Sequence, residues 1–367
     1  MGNIQETVLE IDLNALKHNF EFIKSKLKNN TKILAVVKAF GYGTDATIIA
    51  SHLEKLNVDY FAVAYAKEGV DLRNVGVKKP ILVLHPQPIN FQSIIDNCLE
   101  PNIYSKRILE EFIHIAEVNH LKEYPIHIKF NTGLNRLGFK REDIIYILSK
   151  LQKTTAVKVA SLFSHLVASE DLNEKDFSLN QINTFKEIAL ELTKTLNYKP
   201  MLHMLNTSGI MNYPEAQFNM VRAGISLYGF ANEDALTKQL RNVVSLKSVI
   251  SQIHHIKKGE SVGYNRGFIT EKDIVSATIP IGHADGIHRA FGKGKGFVTI
   301  KGKKAPILGN VCMDMLMVDI TNIECNEGDE VTIFDNQDTV NELAGNINSI
   351  PYEILTAISQ RVKRIVK

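Results

Sequence analysis

The stretch ILAVVKAFGYG, residues 33–43, decides the fold. Ile33 to Val37 are aliphatic without a polar interruption, the composition of a parallel strand covered on both faces. Gly41 and Gly43 give the backbone freedom of a loop directly after it. Lys38 therefore stands at the C-terminal mouth of a buried strand, which in α/β barrels is where chemistry is done. A lysine taken out of water loses basicity and becomes a nucleophile at neutral pH, as Schiff-base formation with an aldehyde such as pyridoxal phosphate requires. A lysine whose ammonium merely snorkels from a strand end satisfies the same pattern.

Seven further strand candidates follow: YFAVAY (60–65), PILVLH (80–85), LEPNIYS (99–105), IHIKFN (126–131), VASLFSHL (159–166), MLHMLN (201–206) and ISLYG (225–229). Amphipathic stretches at 14–27, 46–56, 107–116, 141–151 and 179–196 lie between them as helices. Eight such units are the count that closes a (β/α)8 TIM barrel. After Ala231 the alternation stops. SLKSVISQIHHIKKGESVGY, IVSATIPIG, GFVTIKGKKAPILGNV, MLMVDIT and DEVTIFD carry strand composition punctuated by Gly, Asp and Asn. The division predicted is a barrel over residues 1–234 and a mainly β C-terminal domain over 235–367, packed together without a Pro/Gly/Ser linker.

With 367 residues, 44% of them hydrophobic, the chain can bury a large core in two domains. A net charge of +3 from 43 basic and 40 acidic residues gives no electrostatic case for nucleic acid, so a small-molecule partner is expected. No apolar run approaches membrane-spanning length, and the start MGNIQET lacks a secretory apolar region and a myristoylation signal. The expectation is a cytoplasmic protein with no membrane association. Cys98, Cys312 and Cys325 show no metal-ligand spacing, so no metal is expected; they read as reduced, buried small hydrophobes.

Chemistry on a pyridoxal aldehyde needs phosphate donors, a partner for the ring nitrogen, a cation for the substrate carboxylate and a further acid or base beside the lysine. Strand ends offer each type. Tyr42 either donates to a phosphate or packs. KFNTGLNRLGF (129–139) brings Lys129 and Arg136 to one mouth, with Arg136 either a bidentate carboxylate clamp or a solvated loop arginine. His165 ends the sixth strand and His203 lies in the seventh, each a functional or a hydrogen-bonded core histidine. VRAGISLYG (221–229) supplies Arg222 just before the eighth strand, and Gly224 and Ile225, whose N–H groups suit a phosphate.

The segments AVVKAFGYG, KFNTGLNRLGF, FSHL, HMLNTSG, VRAGISLYG, SVGYNRGF, IGHADG, GNVCMDM and PYEI, in this order, resemble the alanine racemases over nearly the whole chain. The resemblance implies a homodimeric, pyridoxal 5'-phosphate-dependent isomerase that interconverts L- and D-alanine by a two-base mechanism and supplies D-alanine for peptidoglycan. It makes Lys38 the Schiff-base lysine and the base for the D-isomer. Tyr264 becomes the base for the L-isomer, reaching the site of the other subunit. Tyr42, Thr207, Gly224, Ile225 and Tyr352 align with the phosphate grip, and Arg222 with the arginine facing the pyridine nitrogen. Arg136 and Met313 align with contacts to the substrate carboxylate. Lys129, carbamylated in many members, steadies Arg136, with Asp314 a further supporting residue. His165 and His203 align with a network joining the tyrosine to Arg222.

Several positions depart from the family pattern. Phe40 and Thr44 stand where many relatives have Asn and His, Thr207 where Ser is usual, His283 where Tyr is usual at the substrate entrance, and Asn310 where some members have Arg. His283 at the gate leaves a broad-spectrum amino-acid racemase as the alternative. Arg222 and Tyr264 argue against a decarboxylase on the same barrel, and the second domain against a non-catalytic pyridoxal-phosphate protein.

Overall fold

The computed structural model describes residues 5–367, so the first four residues of the MGNIQET reading lie outside the described residues. The chain opens with strand β1 (Val8–Ile11), and Asp12 then caps the helix Leu13–Ser25 by accepting from the N–H groups of Asn14 and Ala15. A cap of this kind stabilises by about 1 kcal/mol. Eight parallel strands follow: β2 (Lys32–Val36), β3 (Tyr60–Val63), β4 (Ile81–Val83), β5 (Glu100–Ile103), β6 (Tyr124–Lys129), β7 (Val157–Phe163), β8 (Met201–His203) and β9 (Met220–Ala223). They form a closed barrel in sequence order, sealed by β2 against β9 with Lys32 opposite Met220 and Ala35 opposite Ala223. Ile33 to Val37 are all buried, as the continuous apolar run required. Each Ile, Leu or Val side chain among them contributes roughly 1.5–3 kcal/mol on leaving water.

The eighth strand differs from the reading of ISLYG (225–229). MVRA (220–223) pairs with β2, and Ile225–Tyr228 form a 3-10 turn closed by Gly229 in the left-handed region at φ 101°. Arg222 accordingly lies within the last strand and not before it. Cys98 is also corrected: it is exposed at the turn before β5, with φ 50°, while Cys312 and Cys325 are half-buried, and all three are free thiols.

Ten strands follow the barrel: β10 (Val244–Val249), β11 (Gln252–Ile256), β12 (Ser261–Val262), β13 (Phe268–Ile269), β14 (Ile274–Ile279), β15 (Phe297–Ile300), β16 (Lys303–Leu308), β17 (Leu316–Asp319), β18 (Glu330–Phe334) and β19 (Lys363–Val366). A nine-stranded sheet runs in the order β11-β14-β17-β16-β15-β18-β10-β1-β19, and β12-β13 is a separate ribbon. β1 pairs antiparallel with β10 and parallel with β19. The start of the described chain therefore belongs to the second domain's sheet, unlike the sequence reading that placed residues 1–234 wholly in the barrel. Gln337 joins the two domains by donating to the carbonyls of Gly229, Thr237 and Leu240. Among the described residues, no helix is long and apolar enough to cross a membrane.

Candidate active site

Lys38 follows β2 at the barrel's C-terminal mouth, and the chain beyond it winds the wrong way. Ala39, Phe40, Gly41 and Tyr42 have φ of 53°, 54°, 64° and 53°, a turn of left-handed helix that costs each L-residue roughly 1–2 kcal/mol. Contacts from distant segments offset that strain. Glu68 accepts from the Ala39 N–H at 2.7 Å, and Arg364 of β19 donates to the carbonyls of Gly43 and Thr44 at 2.9 and 2.8 Å. At Gly43, with φ 82°, an added Cβ would run into the Leu355 carbonyl, so only glycine fits. The second domain thus holds the lysine loop in shape.

Lys38 opens into a cavity of about 500 Å³ that Tyr42, Lys129, Arg136, His165, Thr207, Arg222, Gly224, Ile225 and Tyr352 also line. Burial first, then Arg136, holds the Lys38 amine below its ordinary pKa, while Glu68 opposes them. Lys129 is drawn down to about 8 by burial, then Arg222, Arg136 and Lys38. Burial and then Arg136 bring Arg222 to about 9, so it stays cationic at neutral pH. Lys129 and Arg222 both lean on the Phe163 ring, 5.8 and 5.5 Å from its centroid. Arg222 Nη2 donates to the Ser164 and Met204 carbonyls and to His165 Nδ1, and Nη1 donates to His203 Nδ1 at 2.8 Å. Both histidines are held far below the ordinary imidazole pKa, chiefly by burial and then by Arg222.

Tyr264 and Met313 lie elsewhere. Together with Asp314 they border a second depression, on the C-terminal domain, and Tyr264 is 73% exposed. Asn310 fixes the tyrosine's backbone by donating from Nδ2 to the Tyr264 carbonyl at 3.1 Å. Asp314 accepts from Arg361, which also donates to Asp285, both at 2.6 Å. His283 is exposed, its N–H donating to the Cys312 carbonyl. One chain therefore gathers Lys38, Tyr42, Lys129, Arg136, His165, Thr207, Arg222, Gly224, Ile225 and Tyr352, with His203 packed behind Arg222, and leaves Tyr264, Met313 and Asp314 outside.

Two family profiles tile the chain: "Alanine racemase, N-terminal domain" over residues 11–232 and "Alanine racemase, C-terminal domain" over 243–366. The chain belongs to the alanine racemase family. The alanine racemase of Helicobacter acinonychis (strain Sheeba) is 36% identical over 374 residues, covering 97% of this chain and 98% of that one. A solved alanine racemase from Clostridium difficile 630 superposes with a TM-score of 0.93 at 32% identity, covering 100% of this chain and 97% of that one. The alanine racemase of Bartonella henselae, solved with covalently bound pyridoxal phosphate, gives 0.87 at 28% identity, with 99% of each chain covered. Alanine racemases are pyridoxal-phosphate-dependent isomerases that interconvert L- and D-alanine for peptidoglycan synthesis.

The residues present fit the cofactor of an alanine racemase. A Cβ at Gly224 would lie 2.6 Å from the Tyr42 hydroxyl, so glycine alone keeps that corner of the cavity open. Among the described residues, the hydroxyls of Tyr42 and Tyr352 meet no hydrogen-bonding side chain, and Thr207 shares its hydroxyl only with Ser226 at 2.8 Å. Such a cluster of free donors suits a phosphate. Sequence reasoning missed Glu68 and Arg364, which shape the lysine loop, and Asn206 and Ser208, which line the cavity. It also missed Glu100, His127 and Ser161 behind Arg222. A carboxylate inside LEPNIYS, and His127 two positions before Lys129 on one strand face, were the available signals.

Proposed function

We propose that this racemase works as a homodimer in the cytoplasm, with each active site built from the Lys38 cavity of one subunit and the partner subunit's Tyr264. The observation that carries the reading is the separation within one chain. The lysine is half-buried in a cavity crowded with cations, while Tyr264 stands 73% exposed on another face. An exposed tyrosine with a rigid backbone anchor suits insertion into a neighbour better than service in its own barrel.

Pyridoxal phosphate, when bound, supplies the aldehyde for Lys38 and the electron sink that acidifies the amino acid's α-proton. Tyr42, Thr207, Gly224, Ile225 and Tyr352 would hold its phosphate, and Arg222 would be the partner of its ring nitrogen. An arginine stays protonated, so Arg222 would offer that nitrogen a hydrogen bond and no proton. Arg136, with the partner subunit's Met313, receives the substrate carboxylate. Lys38, its amine favoured by burial, takes the α-proton of D-alanine, and Tyr264 Oη takes that of L-alanine on the opposite face. His165 accepts from Arg222 through Nδ1, so its proton sits on Nε2, free to support the tyrosine oxygen. Lys129, drawn to about 8 among Lys38, Arg136 and Arg222, is the amine placed to capture carbon dioxide, and as a carbamate it would balance those charges beside Arg136.

Mixing two inactive variants tests the shared site. Lys38→Ala and Tyr264→Phe homodimers should each be nearly inactive, whereas their heterodimer holds one site with both residues intact. Random exchange of equal amounts makes about half the dimers mixed and returns roughly a quarter of the activity. Heterodimers verified by two tags that show no recovery would mean that Tyr264 does not serve the partner subunit.

A further inference from the structure

Behind Arg222 the barrel interior is not apolar. His203 of β8, Ser161 of β7, His127 of β6 and Glu100 of β5, one residue from each of four adjacent strands, continue away from the cavity as a chain of hydrogen bonds. His203 Nε2 lies 2.9 Å from Ser161 Oγ, Ser161 Oγ 2.6 Å from His127 Nδ1, and His127 Nε2 2.6 Å from Glu100 Oε2. The two histidines and the serine have no exposed surface, and Glu100 and Arg222 are buried at each end. Barrel interiors are ordinarily filled by layers of branched apolar side chains, and a buried polar group without partners is costly.

One arrangement satisfies every donor and acceptor along this path. Arginine can only donate, so Nδ1 of His203 must be bare and its proton must be on Nε2. That proton goes to Ser161 Oγ, which spends its own hydrogen on His127 Nδ1. His127 therefore carries its proton on Nε2 and donates it to the Glu100 carboxylate. A His127 protonated on both nitrogens would leave Ser161 either accepting from both rings with its own buried hydrogen unpaired, or turned to donate into His203 Nε2 and so forcing an N–H of His203 against the Arg222 N–H. Every link thus points from the buried cation to the buried anion, a polarised path between opposite charges.

We propose that Glu100 is a positioning residue that acts on Arg222 through His127, Ser161 and His203, fixing the guanidinium in orientation. This rests on the reading of Arg222 as the partner of the cofactor's ring nitrogen. The barrel's polar layer is then part of the racemase's electronics as well as of its packing.

The first test needs no variant. In holoenzyme labelled with ¹⁵N at histidine, nitrogen shifts should show His127 and His203 each with a proton on Nε2 and a bare Nδ1. Glu100→Gln, which preserves shape and removes charge, should move the ring N–H resonance of His203 across the two intervening groups. Combining it with Ser161→Ala should abolish that response. Glu100→Gln should also lower kcat about tenfold, the weight of one charge-assisted bond, with KM for alanine little changed. A proton on Nδ1 of either ring, a doubly protonated His127, or a response that survives without Ser161 overturns the path. Correct tautomers with unaltered kcat overturn its action on Arg222. Misassignment of Arg222 itself reads differently: Arg222→Lys would then leave the visible absorption of the bound cofactor unchanged, whereas failure of the path alone leaves that spectral effect intact.

Discussion

The barrel mouth and the Tyr264 face are built on opposite terms. At the mouth Lys38, Lys129, Arg136 and Arg222 share one cavity, and loss of water, then mutual repulsion, lowers the amines' affinity for protons. Glu68, Arg364 and the histidines hold that arrangement from behind. On the other face Tyr264 projects into solvent from a short turn in which Asn265 and Arg266 have φ of 56° and 49°, with Asn310 gripping its carbonyl. One region is complete and strained from within; the other is ordered in backbone but has nothing to act on. In the proposed dimer two copies bring these regions together, and its role is then in chemistry rather than in folding.

Removing a residue from each region should separate their roles. Lys38→Ala carries the largest expected effect, because it deletes both the attachment point and the base. Borohydride reduction of the wild type should fix pyridoxal phosphate on Lys38, as peptide mapping would find, and racemisation by the variant should fall by more than the roughly 10²–10⁴-fold typical of one lost base. Cofactor fixed on another lysine would refute the assignment. Tyr264→Phe should lose racemisation by roughly 10²–10⁴-fold yet leave Lys38 able to exchange the α-proton of D-alanine with deuterium from solvent. Exchange lost equally from both isomers would make Tyr264 a structural residue.

The two regions also differ in how openly the sequence declared them. A charge ending a continuous apolar run is a local pattern, so β2 and Lys38 were legible from the eleven residues 33–43. The eighth strand was misplaced because MVRA and ISLYG are adjacent apolar runs that periodicity cannot rank. Pairing of Met220 with Lys32 decides between them, and that is information held nearly two hundred residues away. β1 is a similar case, since its partners β10 and β19 come from the far end of the chain. The left-handed turn had no local sign either, because Ala39 and Phe40 have no preference for positive φ and take it only under Glu68 and Arg364. Tyr264 and Met313 came from family resemblance alone, and both stand exposed on the surface of their own chain.

The smallest effect bears on the cationic side of the comparison and is read in stability rather than turnover. Lys129 falls from an ordinary 10.5 to about 8 in the folded protein, with burial the leading cause and Arg222 the next. Below pH 8 the amine is charged in both the folded and unfolded chain, and the folded state bears the whole cost of holding it. Between about 8 and 10.5 the unfolded chain binds more protons than the folded one, so stability from this group rises with pH. Its limiting slope is about 1.4 kcal/mol per pH unit. Urea unfolding of apoenzyme, with bicarbonate excluded so that no carbamate forms, should show this rise between pH 8 and 10. Lys129→Met, similar in length and without charge, should remove that part of the slope and be the more stable protein at pH 7. Equal slopes in the two proteins would mean that the folded cavity does not depress Lys129, and the contrast between a strained mouth and a relaxed outer face would lose its energetic basis.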